Sequence, residues 1–296
     1  MNILLHGNAL LALMAAALWG GGDFSGGMSV KHAGGTMGAA LRVVLLSHAM
    51  SFTVLAVVAW LRGDAFPHGA PLWWGLAAGL TAGISLTCFY VALSRGAMGA
   101  SAALSGLLAA AIPAVVSGVA EGSPGVLRMI GFAVAGVAIW MIAAGPNPEA
   151  TPADKGTLWL ALVGGVGFGV YFVALKLAGT TGVIWPLATA RIGSLSMCSL
   201  LLFGMMATRK AGDGMKIWLT RKVVIWAAAT ALLDTSGNLL FIAATRAGRL
   251  DVASVLASLY PASTILMAAW MLRERPTRRQ GLGMVAAAVA VVMITL

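Results

Sequence analysis

The sequence predicts an all-α integral membrane protein of ten transmembrane helices, and three observations carry that prediction. Hydrophobic residues make up 60% of the 296 residues and charged ones 9%, where a soluble globular domain carries roughly 25% charged residues. The charges fall in short stretches between long apolar runs, which is the pattern of membrane spans rather than of a large soluble core. Ten of those runs, at 8–30, 36–60, 72–94, 100–120, 125–144, 157–178, 182–207, 222–245, 252–272 and 277–295, reach the ~20 residues that cross a bilayer as a helix.

No run alternates polar and apolar residues as a barrel strand must. Backbone groups in lipid need internal partners, so the runs are predicted as helices. The first follows MNILLHGN, which lacks the positive leader of a signal peptide, and is read as a span. Trp60, Trp73, Trp74, Trp159 and Trp218 fall near span ends, where tryptophan anchors a helix at the interface. Pro113, Pro186 and Pro261 are expected to interrupt spans four, seven and nine. Cys88 and Cys198 lie inside apolar runs and read as packing residues, with neither a disulfide nor a metal site implied. The net charge of +10 comes from Lys and Arg at span ends, where they orient helices, so nucleic-acid binding is not expected.

The stretch GPNPEATPADKG (145–156) is polar, Pro-rich and central. It reads as a linker between a first five-helix unit, 1–145, and a second, 157–296. The halves share landmarks. ALMAAALWG (12–20) faces ALVGGVGFG (161–169), which aligns Trp19 with Phe168 and Gly20 with Gly169. Arg42 in span two matches Arg191 in span seven. FYVALSRG (89–96) resembles FIAATRAG (241–248), followed by Ala100-Ser101 and Ala253-Ser254. Glu121 and Glu274 each precede a final apolar span. Five is odd, so the second repeat must be inserted upside down relative to the first, which predicts two inverted five-helix repeats around a central cavity.

In this order and duplication, the motifs resemble the EamA repeat, and the chain is similar over almost its whole length to ten-helix members of the drug/metabolite transporter superfamily. It looks most like the bacterial exporters of aromatic and other amino acids. The resemblance implies a multi-pass protein of the bacterial inner membrane with no organic cofactor, exporting small organic solutes by alternating access, with a small-molecule substrate and membrane lipids as partners; the oligomeric state is left open, a monomer being compatible. Other metabolites or drugs are the alternative cargo. A membrane-embedded enzyme on a lipid-linked substrate, or a channel, is the competing class. Phosphate-binding loops, His-Glu-x-x-His and nucleophile-elbow motifs are missing from the sequence, which favours a secondary transporter over an enzyme or an ATP-driven pump.

Ionisable groups within lipid are functional candidates by default. Asp23 sits in WGGGDFSGG (19–27), whose glycines permit either close helix approach or local unwinding; tight packing with Asp23 as a cap is the plain alternative. Arg42 and Arg191 could each clamp a carboxylate, snorkel to a membrane face, or pair with an acid. Asp234 and Asn238 share one face at i, i+4 spacing, while their counterparts in the first repeat are Gly83 and Thr87. That leaves Asp234 as a coupling acid, a salt-bridge partner or an amine contact. His48 reads as a hydrogen-bonded structural residue. Trp19, Tyr90, Phe168, Tyr171 and Tyr260, with Phe89 and Phe241, lie inside spans and suggest a partly aromatic cavity, although helix packing explains any one of them. The candidate substrate-binding set is therefore Trp19, Asp23, Arg42, Tyr90, Phe168, Tyr171, Arg191, Asp234, Asn238 and Tyr260. The positive-inside rule places the loops after spans one, three, five, seven and nine in the cytoplasm and both termini outside. The family resemblance implies the opposite.

Overall fold

A computed structural model describes residues 2–94, 98–143, 155–207, 219–271 and 277–296. They form eleven helices: α1 (Asn2–His32), α2 (Met37–Arg62), α3 (Ala70–Ser94), α4 (Met98–Glu121), α5 (Val126–Ala143), α6 (Lys155–Ala178), α7 (Ile184–Ala207), α8 (Arg221–Ala247), α9 (Leu250–Ala257), α10 (Tyr260–Met271) and α11 (Arg278–Thr295). Strands are absent among the described residues. Most of the central linker and Trp218 and Glu274 lie outside those residues.

The ten predicted runs account for all eleven helices because the ninth is built as two. α9 ends at Ala257 and α10 begins at Tyr260. Pro261, in the first turn of α10, lacks the N–H that a continuous helix would use, so the ladder breaks just before it. Pro186 does not interrupt α7 as expected, because the helix starts at Ile184 and a first-turn proline gives up only a donor that has no partner there. Pro113 does lie inside α4. Short connections are closed by the expected chemistry: Thr36 caps α2, Thr220 caps α8, and Thr277 with Gln280 forms a capping box on α11.

Side-chain contacts establish the inverted pairing. On α2 and α7, His48 meets Ser194 while Ser51 meets Arg191, so the two helices run antiparallel. On α5 and α11, a side chain at Gly131 would strike Met293 and Ile294, and one at Gly283 would strike Met141 and Ile142. The contacts at the start of each helix mirror those at the end of the other. The same exchange holds elsewhere. α1 packs on α8 as α6 packs on α3, and Gly20 lies against Ser263 of α10 as Gly169 lies against Ile112 of α4. Equivalent helices of the two halves therefore run in opposite directions.

Small residues make these contacts possible, since helices in lipid associate through packing rather than hydrophobic driving force. A Cβ at Gly79 would collide with the Ala190 carbonyl, and one at Gly193 would meet the Leu76 carbonyl. α3 and α7 therefore cross backbone against backbone. The glycines around Asp23 serve the same purpose. α1 is continuous through them, without the local unwinding the sequence permitted, and Gly20, Gly21 and Gly22 bring it against Ser263, Leu233 and Asp234. Outward-facing positions are apolar, and Trp60 and Trp73, near helix ends, are 77% and 68% exposed, as expected of interfacial anchors. The chain is a multi-pass membrane protein.

Candidate functional site

At the centre of the bundle lies a cavity with about 640 Å³ of empty space, the open solvent at its mouth included. α5 and α11, packed on each other, stand outside it. Its apolar and aromatic wall includes Trp19, Phe168, Phe172 and Tyr260, with Ala82, Leu86, Phe89 and Ala109 from α3 and α4. Trp19 stacks flat on Phe172 with ring centroids 5.2 Å apart and 1° between the planes. Phe241 tilts against both rings from behind. Phe89 meets Phe168 edge to face at 5.8 Å.

A polar chain crosses one side of this wall. Tyr171 Oη donates to Asn238 Oδ1 at 2.6 Å. Asn238 Nδ2 donates to the Asp234 carbonyl at 2.7 Å and to Asp234 Oδ1 at 3.0 Å, fulfilling the i, i+4 spacing. The other Asp234 oxygen is ion-paired with Arg191 Nη2. Arg191 Nε donates to Ser51 Oγ at 3.0 Å, and Nη1 lies 3.0 Å from His48 Nε2. A guanidinium can only donate, so Nε2 is the acceptor. The imidazole is then the neutral tautomer, with Nδ1–H donating to Ser194 Oγ at 2.7 Å. Ser51, its oxygen already accepting from Arg191, donates to Thr235 Oγ1 at 2.6 Å. Every polar group in the chain has a partner, as an intramembrane charge requires.

Arg191 is 3% exposed. Of the three roles open to it in the sequence, pairing with an acid is the one the structure shows. Each of its three nitrogens already makes one bond, to Ser51, His48 and Asp234. Asp234 is its partner, and both line the cavity.

Asp23 differs from them. It lines the cavity one helical turn beyond Trp19, yet no cation or hydrogen-bond donor among the described residues engages its carboxylate. The charge that acts on it is Asp234, of the same sign. The Tyr260 hydroxyl, which lines the same cavity, also has no hydrogen-bond partner among the described residues.

Eight of the ten candidates from the sequence thus line one cavity: Trp19, Asp23, Phe168, Tyr171, Arg191, Asp234, Asn238 and Tyr260. Arg42, half-buried on α2 and engaged in an interaction of its own, is not among the lining residues. The side chain of Tyr90 lies outside the described set. Phe172 and His48 join the wall without having been candidates for it. Phe172 was legible through the repeat: Trp19 aligns with Phe168, which puts Phe172 opposite Asp23. His48 gave no such signal, because a lone histidine in an apolar run shows nothing of a partner 143 residues away.

One face of the bundle, that of the chain termini, is bound together by charges the sequence did not single out. Arg249 forms a two-oxygen pair with the fully buried Asp251 and donates to the carbonyls of Glu121 and Gly122 at the end of α4. Lys176 of α6 pairs with Glu121, and Arg246 caps α6 at the Gly179 carbonyl. Asn8 of α1 donates to the Arg249 carbonyl at 3.2 Å.

No curated protein matches the chain. A solved crystal structure described only as that of a protein superimposes with a TM-score of 0.74 at 12% identity, over 97% of this chain and 95% of that one; the likeness is one of fold. Residues 155–296, the span of α6 to α11, match the EamA-like transporter family, a family of membrane transporters.

Proposed function

We propose that this protein is a secondary transporter that carries small organic solutes through the central cavity by alternating access. In this reading it is an exporter of aromatic or neutral amino acids in a bacterial inner membrane. The observation that carries the reading is the position of the cavity: an aromatic, partly polar chamber lined by equivalent helices of two antiparallel halves, where inverted-repeat transporters bind their cargo. The EamA-like match over 155–296 supports transport as the class. The charge cluster at the termini face supports a state sealed on that side, with Leu86 and Phe89 extending the cavity towards the other. The two units are 1–145 and 157–296, joined by the central linker.

The test is uptake into proteoliposomes loaded with unlabelled amino acid. Labelled aromatic or neutral amino acids should enter with saturation and be accelerated by counterflow. No saturation with any amino acid overturns the cargo assignment, and single-channel currents overturn alternating access. A C-terminal reporter active only in the cytoplasm fixes which side is sealed. From the distribution of Lys and Arg it should be silent.

A further inference from the structure

We infer that Asp23 is the docking point for a positively charged amine on the transported solute, and that the cavity selects cations with an apolar, ring-sized body without needing a carboxylate on them. The inference rests on the transport reading above and deepens it.

The first step is a charge count. Among the described residues, Asp23, Asp234 and Arg191 are the acidic and basic members of the wall, and His48 is held neutral by its contact with Arg191. Arg191 and Asp234 cancel each other. One carboxylate is left over, facing empty space with no donor or cation among the described residues. A carboxylate in a largely apolar chamber is unfavourable unless a proton or a cation neutralises it. The leftover charge therefore favours a cationic occupant and disfavours an anionic one.

The second step is the surroundings. Trp19 stands one turn from Asp23 on α1, backed by Phe172 at stacking distance, and Tyr260 presents both a ring and an unbonded hydroxyl. Aromatic faces attract an ammonium as well as an apolar body. Leu86, Ala82 and Ala109 complete the chamber with hydrocarbon. An ammonium at Asp23, with the body against Trp19 and the alanines, satisfies each of these groups. An amino acid can place its ammonium there, but its carboxylate finds no cation among the described lining residues that is not already paired with an acid.

The test uses the purified full-length protein and four probes of nearly equal size: phenethylamine, phenylalaninamide, phenylalanine and 3-phenylpropanoate. Binding is followed by quenching of tryptophan fluorescence and by thermal shift. The two cations should bind, phenylalanine at least ten-fold more weakly than phenylalaninamide, and the anion not at all. Asp23→Asn should weaken phenethylamine at least ten-fold, and Asp23→Glu should retain most of the affinity. Equal binding of the anion, no binding by any probe, or undiminished binding to Asp23→Asn overturns the inference. If Asp23→Asn does not fold, the probe series on the unmodified protein decides alone. Vesicle uptake separates the two readings. Amine binding without transport refutes the transporter and keeps the site, whereas transport that prefers 3-phenylpropanoate refutes the site and keeps the transporter.

Discussion

Replacing Arg191 by Met removes the bonds to Ser51 and His48, at 3.0 Å each, and the ion pair to Asp234. It leaves the Asp234 carboxylate with a neutral amide partner alone. Breaking a buried pair by removing one member destabilises by about 3–5 kcal/mol. Asp234 is 30% exposed to the cavity, so water recovers part of its loss and the lower end, about 3 kcal/mol, applies. Asp234→Asn strands a guanidinium that is 3% exposed and belongs near the upper end of that range. The double variant Arg191→Met/Asp234→Asn removes both charges and should be less destabilised than either single one, which corresponds to a coupling of at least about 5 kcal/mol. At ~2–4 °C per kcal/mol for a chain of this size, thermal unfolding in one detergent should show the single variants lowered by roughly 6–20 °C and the double variant part-way restored. Additive losses, or single variants that melt like the parent, would refute the view of this pair as a mutually compensating strut.

Arg249→Ala leaves the fully buried Asp251 without its pair and the end of α4 without its cap. Thermal unfolding should show a loss of about 3–5 kcal/mol, and Arg249→Lys should restore only part of it, since an ammonium cannot form the two-oxygen fork. Gly79→Leu drives a side chain into the Ala190 carbonyl and should cost at least about 1–3 kcal/mol. Its control is Gly27→Ala, where the added methyl meets nothing within 4 Å; in a helix interior this should be neutral or stabilising by up to ~1 kcal/mol. Trp19→Ala removes the ring stacked on Phe172 and should lower stability by about 3–5 kcal/mol. It should also abolish most ligand-induced fluorescence quenching, whereas Trp60→Phe, at an exposed helix end, should leave the quenching unchanged.

The membrane fold was legible because lipid imposes a single rule on every residue of a span. Apolar length alone placed all ten runs, and the repeat landmarks Trp19, Arg42, Phe168 and Arg191 gave the inversion. The site was legible only where a polar group breaks an apolar run, as at Asp23, Asp234 and Asn238. What those groups bond to depends on contacts between helices far apart in the chain, and one sequence does not encode such contacts locally. Arg191, close to the start of its span, could equally have snorkelled; the Ser51 hydroxyl, the His48 imidazole and the Asp234 carboxylate gather it inward instead. Asp251 escaped notice because it sits at a span end, where an acid ordinarily meets water. Pro261 was legible as an interruption of the ninth span, and the break between α9 and α10 falls just before it.

The repeats share geometry but not charge, and this difference bears on how the cavity could work. Under the exchange of halves, Arg191 corresponds to Arg42 and Asp23 to Phe172, and pairing Phe241 with Phe89 sets Asp234 against Ala82 and Asn238 against Leu86, one residue from the expected Gly83 and Thr87. The polar chain therefore exists once, tying α2, α6, α7 and α8 into one body through neutralised bonds. The opposite wall, from α3, α4 and α10, presents hydrocarbon and rings, and α3 and α4 meet α6 and α7 largely through glycines. Sliding of such surfaces breaks few hydrogen bonds, whereas motion within the α2–α6–α7–α8 group would break a buried ion pair. The termini-face cluster of Glu121, Lys176, Arg249 and Asp251 is where the ends of α4, α6 and the α8–α9 turn are held by ion pairs and by hydrogen bonds to backbone carbonyls. Opening from that side would separate α4 from α6 and α9 there, and the Arg191–Asp234 strut would survive it. A crosslink between α4 and α6 at that face should then block transport, while one between α2 and α7 should not.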